Sequence, residues 1–252
     1  MSRAPSWLLS RPVAHRGLHS HRLPENTLGA FGAAIEAGFP IELDVQLTAD
    51  DQMVVHHDTD LRRLSDRPQR VRELTLEQLR QVRIGGTDQH PPGLVETLEY
   101  IDGRVPVVVE IKAGDPRYLR ALATAAALRH YSGPLTVQSF DPFIVGWFRR
   151  NAPEILRGQL SGSMADVRTI NWGTRRMLQN LAFSVVSRPD YIGYEFGFTT
   201  PRRARLIRKK WPLLLWTITT REDMARALTL ADNVIFEGFD PSAGGTGQGL
   251  AE

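Results

Sequence analysis

Between Val13 and Asp58 the chain reads Val13-Ala14-His15-Arg16-Gly17, then Pro24-Glu25-Asn26-Thr27, then Ile41-Glu42-Leu43-Asp44-Val45, and closes on Val54-Val55-His56-His57-Asp58. Short apolar runs of this kind read as strands. Side chains two apart on a strand share a face, so Glu42 and Asp44 point one way while Ile41, Leu43 and Val45 point the other. Farther on, Val107-Val108-Val109-Glu110-Ile111-Lys112 repeats the arrangement, with Glu110 and Lys112 on one face. That run is apolar on both faces except at its C-terminal end, the pattern of a parallel strand buried on both sides. Three carboxylates, two histidines, an arginine and a lysine at strand ends form a polar cluster that a core does not tolerate without a use for it.

Working outward, strand and helix signals alternate along the whole length. Strands are expected over Pro12 to His15, Phe39 to Leu47, Val105 to Ile111, Leu135 to Ser139, Ile155 to Leu160, Tyr191 to Tyr194, Leu213 to Thr217 and Asn233 to Phe236, with an extended segment over Gln52 to His57. Helices are expected over Thr27 to Ala37, capped by Asn26 or Thr27 and ended by Gly38, and over Leu94 to Asp102, Pro116 to Tyr131, Pro142 to Asn151, Met164 to Leu181, Pro201 to Lys210 and Arg221 to Leu230. About eight strands precede helices in a chain of 252 residues, close to the ~250 of a (β/α)₈ TIM barrel. Leu61 to Pro92 is polar and irregular, with a helical turn at Leu74 to Val82, and reads as an excursion between the second strand and its helix. The expectation is one domain over residues 1–252, with a small insertion at 59–92 and an irregular tail at 241–252.

Composition narrows the class. Apolar content of 42% and charged content of 23% are those of a soluble globular protein and argue against disorder. No stretch is apolar for long enough to span a bilayer. The N-terminus has Trp7-Leu8-Leu9 but no signal-peptide h-region or cleavage site. With no cysteine there are no disulfides or thiolate metal sites, and the cytoplasm is the default location. The net charge of +3 suits an anionic small-molecule or lipid-derived substrate and is too weak to argue for nucleic acid.

In a parallel barrel the active site lies at the C-terminal ends of the strands. His15, Glu42 with Asp44, Glu110 with Lys112, and Gln138 with Ser139 all fall there. Carboxylates converging without cysteine make an oxygen-ligand set suited to Mg²⁺ or Ca²⁺ rather than zinc. Arg16 and Lys112 beside such an ion would balance a phosphate. His15 and His57 can act as general base and general acid near neutral pH.

His15-Arg16-Gly17, Pro24-Glu25-Asn26-Thr27, Glu42-x-Asp44, His57-Asp58 and Glu110-x-Lys112, in that order, resemble the signature set of the glycerophosphodiester phosphodiesterase family, among the phosphatidylinositol-phospholipase-C-like (β/α)₈ barrels. The resemblance is dense over the first half of the chain. It implies Glu42, Asp44 and Glu110 as ligands of a divalent cation, His15 as base and His57 as acid, and Arg16 and Lys112 on the phosphate. The implied products are sn-glycerol 3-phosphate and an alcohol such as choline or ethanolamine. The second half departs from the family pattern. Trp216-Thr217-Ile218-Thr219 lacks a final asparagine, Phe236-Glu237-Gly238-Phe239-Asp240-Pro241 stands for a Thr-Asp-x-Pro segment, and Ala49-Asp50-Asp51-Gln52 lacks a glycine. These changes leave the phosphate site intact and the alcohol open, with Trp216 still placed to line the substrate pocket.

Other residues have plainer readings. His56 alternates with His57 and should face the opposite side in a structural role. His19 and His21 sit in a loop beside the site, and Glu25 and Asn26 brace that loop. The run Arg202, Arg203, Arg205, Arg208, Lys209, Lys210 reads as a solvated helix face before a lipid-headgroup patch. Two rival functions remain open at the level of sequence. One is lysophospholipase D or sphingomyelinase D-like headgroup cleavage through a cyclic phosphate; the other is a non-catalytic phosphodiester-binding barrel.

Overall fold

Valine- and leucine-rich runs of five to seven residues that are buried on both faces belong at the centre of a parallel sheet, and here such runs close into a barrel. A computed structural model describes residues 4–165 and 170–242. In chain order its elements are α1 (Ser6–Ser10), β1 (Val13–Ala14), α2 (Leu28–Glu36), β2 (Ile41–Leu47), β3 (Met53–Val55), α3 (Arg62–Ser65), a 3-10 turn (Val71–Glu73), α4 (Leu76–Arg80), α5 (Leu94–Ile101), β4 (Val107–Ile111), α6 (Arg117–Leu128), β5 (Leu135–Ser139) and α7 (Pro142–Asn151). There follow β6 (Leu156–Ser161), α8 (Trp172–Gln179), α9 (Ser184–Ser187), β7 (Tyr191–Glu195), a second 3-10 turn (Phe196–Phe198), α10 (Pro201–Arg208), β8 (Leu213–Ile218), α11 (Arg221–Leu230) and β9 (Asn233–Phe236).

Eight parallel strands run around the barrel in the order β1, β2, β4, β5, β6, β7, β8, β9, and β9 closes it by pairing Val13 with Ile235 and Ala14 with Phe236. The expected (β/α)₈ TIM barrel is thus the observed architecture. Register matters most between β2 and β4, where Asp44 lies opposite Glu110 and Glu42 opposite Val108. One residue of slip would turn every acid to the opposite face.

Outward-facing Leu43, Val45, Val107 and Val109 pack with Phe31 of α2, Leu98 of α5 and Phe148 of α7. A second cluster joins Val13, Val108, Tyr191, Leu214 and Ile235 to Leu8 of α1. Tyr191 is fully buried, and it fits because β6 passes it with Gly158, where a Cβ would lie 2.3 Å from the Tyr191 ring. The excursion over 59–92 packs Leu61, Val71, Leu79, Val82 and Ile84 into a small core against Val54 of β3. No helix among the described residues is long and apolar enough to cross a membrane.

The structure refines several expectations. The extended segment over Gln52 to His57 shortens to β3, which is antiparallel to β2 and adds a ninth strand outside the barrel ring. Thr27, not Asn26, caps α2, its Oγ1 accepting from the Ala30 amide. Met164 to Leu181 is not one helix: α8 starts only at Trp172, behind an Asn171 cap that accepts from the Thr174 amide. Residues 166–169 of that span, and 243–252 of the expected irregular tail, lie outside the described residues. The short α1 and α9 were not expected, because five and four residues hold too little of the helical period to declare it.

Helix α1 is fastened by one side chain. Asn233 Nδ2 donates to the carbonyls of Leu8 at 2.7 Å and Arg11 at 2.6 Å, in a buried position. Asn233→Ala leaves buried carbonyls without a donor and should cost about 2 kcal/mol, read as a lower urea midpoint with the slope unchanged. An unchanged midpoint would show that α1 adds nothing to the barrel's stability.

Candidate active site

The first functional loop begins where β1 ends. Arg16 and Gly17 both take positive φ, at 55° and 82°. Glycine is required at the second position, since a Cβ there would stand 2.9 Å from the carbonyl group of Ala30 in α2. This turn folds Arg16 back over the strand ends. Its backbone amide donates to Glu42 Oε2 at 3.1 Å, its Nη1 to Glu25 Oε1 at 2.6 Å, and its Nε lies 3.2 Å from Asp44 Oδ2.

Beneath Arg16, Glu42, Asp44 and Glu110 each bring an oxygen within 4.8 Å of the others, and all three residues are buried. Lys112 Nζ sits between two of them, 2.6 Å from Asp44 Oδ1 and 2.6 Å from Glu110 Oε1. Asn26 fixes the central acid from both ends: its Nδ2 donates to Asp44 Oδ2 at 2.8 Å, and its Oδ1 accepts from the Asp44 amide at 3.2 Å. Burial, together with the charges of Asp44 and Glu110, pushes the Glu42 carboxyl well above its ordinary value. Burial would raise Asp44 too, but Lys112, His57 and Arg16 hold it well below the usual carboxylate range.

Each histidine is tied to its own carboxylate. His15 Nδ1 lies 2.5 Å from Glu237 Oε2, which places Nε2 on the inner side, 4.0 Å from Glu42 Oε2. Burial pushes the His15 imidazole below its usual value, and the Glu237 hydrogen bond offsets this only in part. Burial would raise Glu237, yet its bonds to His15 and His19 bring it well below the carboxylate norm. A neutral His15 donating from Nδ1 to that carboxylate keeps its Nε2 lone pair facing the acids. His57 Nδ1 lies 2.7 Å from Asp58 Oδ1; Asp58 accepts from Arg63 Nε at 2.7 Å, and Arg63 also clamps Glu25 with two bonds of 2.7 Å. The excursion therefore reaches back to the site through α3.

His15, Arg16, Glu42, His57, Glu110, Lys112 and Trp216 all line one cavity of about 170 Å³ at the C-terminal ends of the strands. Every residue singled out from sequence for catalysis, phosphate or metal, apart from the buried Asp44 beneath, thus meets at one mouth. Trp216 Nε1 is buried with no acceptor among the described residues. His56 turns away, buried and 3.1 Å from the Asp60 carbonyl through Nε2. The larger cavity of about 540 Å³ between α8, α9 and α10 shares none of these residues. On α10, Arg203 stacks over Phe198 and Arg208 pairs with Asp232 at 2.7 Å.

Residues 15–236 match the glycerophosphoryl diester phosphodiesterase family. The chain belongs to that family. A glycerophosphodiester phosphodiesterase of Caldanaerobacter subterraneus is 33% identical over 159 residues, 59% of this chain and 65% of that one. One from Bacillus altitudinis is 32% identical over 117 residues, covering 44% of this chain and 47% of that one. The chain thus spans less than two thirds of either relative's length. The crystal structure of a glycerophosphodiester phosphodiesterase from Thermotoga maritima superposes with a TM-score of 0.69 at 26% identity, over 90% of this chain and 94% of that one. A phosphodiesterase of Oleispira antarctica, solved with the product sn-glycerol-3-phosphate, gives 0.77 at 22% identity, over 91% and 93%, a likeness of fold.

Sequence reasoning did not single out Glu237, because it stands 222 residues from its partner His15. A signal was present all the same. Glu237 follows the apolar run Asn233 to Phe236 as an acid at a strand's C-terminal end, the same placement that marked Glu110. Asn26, expected only to brace the loop and cap α2, instead carries the buried contact to Asp44.

Glu25 makes the network's electrostatics testable. Burial would raise its carboxyl, but the Arg63 and Arg16 guanidiniums pull it down to about 2 from an ordinary 4.5. The folded state binds this proton more weakly than the unfolded chain, so the stabilisation is complete above the unfolded value and is lost as pH falls towards 2. Glu25→Gln should cost up to about 3 kcal/mol at pH 7, and the gap to wild type should narrow at pH 3. Urea titrations at both pH values measure this, and a gap that stays constant with pH would rule out the ion-pair account.

Proposed function

We propose that residues 1–252 act as one phosphodiesterase barrel that cleaves glycerophosphodiesters to sn-glycerol 3-phosphate and an alcohol with the help of a divalent cation. The observation that carries this reading is the convergence of three buried carboxylate oxygens within 4.8 Å beside two carboxylate-bound histidines. The sn-glycerol-3-phosphate found in the Oleispira antarctica structure lends support.

The residues fit a cation. Asp44 Oδ1 is buried, and among the described residues only the Lys112 ammonium, 2.6 Å away, stands against it. Glu42, raised by burial and by its acidic neighbours, belongs to a set short of positive charge. All-oxygen donors suit Mg²⁺ or Ca²⁺, and Glu42, Asp44 and Glu110 would hold it. Such an ion, when bound, supplies positive charge next to a phosphoryl oxygen.

The chain's own groups do the rest. Arg16 and Lys112 carry cationic donors at the mouth of the cavity and bind phosphate oxygens. His15 takes the proton of the attacking hydroxyl or water at Nε2, with Glu237 holding Nδ1 and the ring's orientation. His57, braced by Asp58, gives a proton to the departing alcohol oxygen. Trp216 walls the substrate side and presents an unused indole N–H.

Protein stripped of metal should release no phosphate monoester from glycerophosphocholine and should recover with Mg²⁺ or Ca²⁺. His15→Ala and His57→Ala should each lower kcat by about 10²–10⁴ while metal binding persists. Full activity in both variants would refute the histidine roles, and activity in metal-free protein would refute the cation.

Glu237 is a positioning residue, and its variant separates orientation from binding. Glu237→Gln should lower kcat about tenfold or more with KM little changed. Because the lost carboxylate had raised the His15 value, the acid limb of the kcat profile should move to lower pH. A loss confined to KM, or an acid limb that stays put, would count against this role.

A further inference from the structure

Helix α10 divides two clefts on the flank of the barrel, and every charged side chain that lines them among the described residues is a cation. The cleft towards α8 and α9, of about 540 Å³, takes Arg202, Arg203 and Lys210. The cleft towards α11, of about 370 Å³, takes Arg205, Arg208 and Lys209. We propose that the flank built from α8, α9 and α10 docks on an anionic lipid surface, with its cations on headgroup phosphates and its exposed apolar side chains at the acyl boundary. This docking is independent of the phosphodiesterase reading and needs no catalysis.

Charge is segregated along the chain. Residues 170–189 and 196–221 hold no Asp or Glu and ten Arg and Lys, whereas the remainder has more acids than bases. A net charge of +3 thus conceals a strongly basic flank. A helix face that is merely solvated interleaves its cations with acids three or four residues away, and α10 has none. Of its cations only Arg208 reaches a carboxylate, Asp232 at 2.7 Å. Arg203 stacks instead on Phe198 and Tyr194. Arg202, Arg205 and Lys209 are exposed and have no ion pair among the described residues.

Apolar exposure coincides with the charge. Trp172 is 80% exposed, Val185 74%, Leu206 54% and Met177 47%, so α8, α9 and α10 each present a large hydrophobic side chain to water. Trp172, Arg176 and the α8 cap Asn180 follow one another at four-residue intervals and share a helix face. Asn180 lines the larger cleft, as do Leu206 and Ser184, the neighbour of Val185. The apolar tips and the cations therefore rim the same depression. A soluble polyanion such as nucleic acid would use only the cations, whereas a lipid interface uses both. A second copy of the chain fits poorly, because a two-fold contact would set this cationic face against itself. Pro201 opens α10 soon after Glu195 of β7, which lines the cavity that shares Trp216 with the catalytic one. A docked flank therefore keeps the barrel mouth close to the lipid surface.

The test is flotation of the full chain with vesicles of phosphatidylcholine alone, or of phosphatidylcholine and phosphatidylserine in equal parts. The protein should float with the mixed vesicles only, and raised salt should weaken the binding. The double variant Arg202→Gln with Lys209→Gln should lower the partition coefficient about thirtyfold, and Trp172→Ala should lower it about tenfold. The pair Arg67→Gln with Arg129→Gln removes the same charge from exposed positions on the excursion and after α6, and should leave binding unchanged. Circular dichroism confirms that each variant is folded. Failure to float with mixed vesicles, equal binding to both vesicles, or equal losses in the two double variants would overturn the proposal. So would binding to a short DNA duplex as tight as to mixed vesicles, with vesicle binding indifferent to Trp172→Ala, since the face would then be a general polyanion site. A dimer seen by light scattering without lipid and dissolved by Leu206→Glu would assign the face to a second copy and likewise overturn it.

Discussion

Three carboxylates packed within 4.8 Å inside a barrel mouth repel one another, and the rest of the site is organised by that repulsion. In a region of low dielectric, close like charges cost far more than they would in water. The barrel meets the cost in two ways. Lys112 and Arg16 bring two positive charges against three acids, and burial drives Glu42 towards its neutral form. Such an arrangement persists only on a rigid frame, and the β2–β4 register with its valine-rich outer face supplies one. With all three acids ionised the two cations leave the set one charge short, a gap that either a proton on Glu42 or an added cation would close.

The two histidines show how the same side chain becomes two different tools. His15 is largely enclosed and answers to Glu237 at the barrel's closing strand, with burial lowering its proton affinity. His57 stands nearer the rim, with a side chain about a third exposed, and answers to Asp58. Asp58 in turn is held by Arg63 of α3, which also pins Glu25 and, through it, Arg16. The excursion after β3 thus has a structural purpose that its irregular sequence conceals. Its private core of Leu61, Val71, Leu79 and Ile84 anchors one arginine over the active site.

Much of this was legible in the sequence, and the exceptions have physical causes. Buried parallel strands are uniform apolar runs bounded by turn residues, so β4, β5 and β9 could be placed closely. Their C-terminal acids and histidines could be placed with them. Pairing direction was not legible, because Met53-Val54-Val55 reads alike whether it lies parallel in the barrel or antiparallel on its edge. Contacts of long sequence separation were also hidden. Asn233 fastening α1 and Glu237 holding His15 span more than two hundred residues each, and only closure of the barrel brings them together. Asn26 was visible as a loop residue but not as a ligand of Asp44, since its positive φ of 58° redirects a side chain that helix-cap rules would have used elsewhere.

The barrel also divides its labour by sector. Strands β1, β2 and β4 carry or lead into the carboxylates, the arginine, the lysine and the inner histidine, which in the proposed reading meet the phosphate. Strands β5 to β8 carry Phe140, Ser163, Glu195 and Trp216, which answer to nothing in a phosphate. In a TIM barrel the loops after the strands can change without disturbing the frame that holds the chemistry. Of the departures from the family pattern in the second half of the chain, Ile218-Thr219 after Trp216-Thr217 falls at the end of β8 in that second sector, whereas Glu237 after β9 serves His15 in the first.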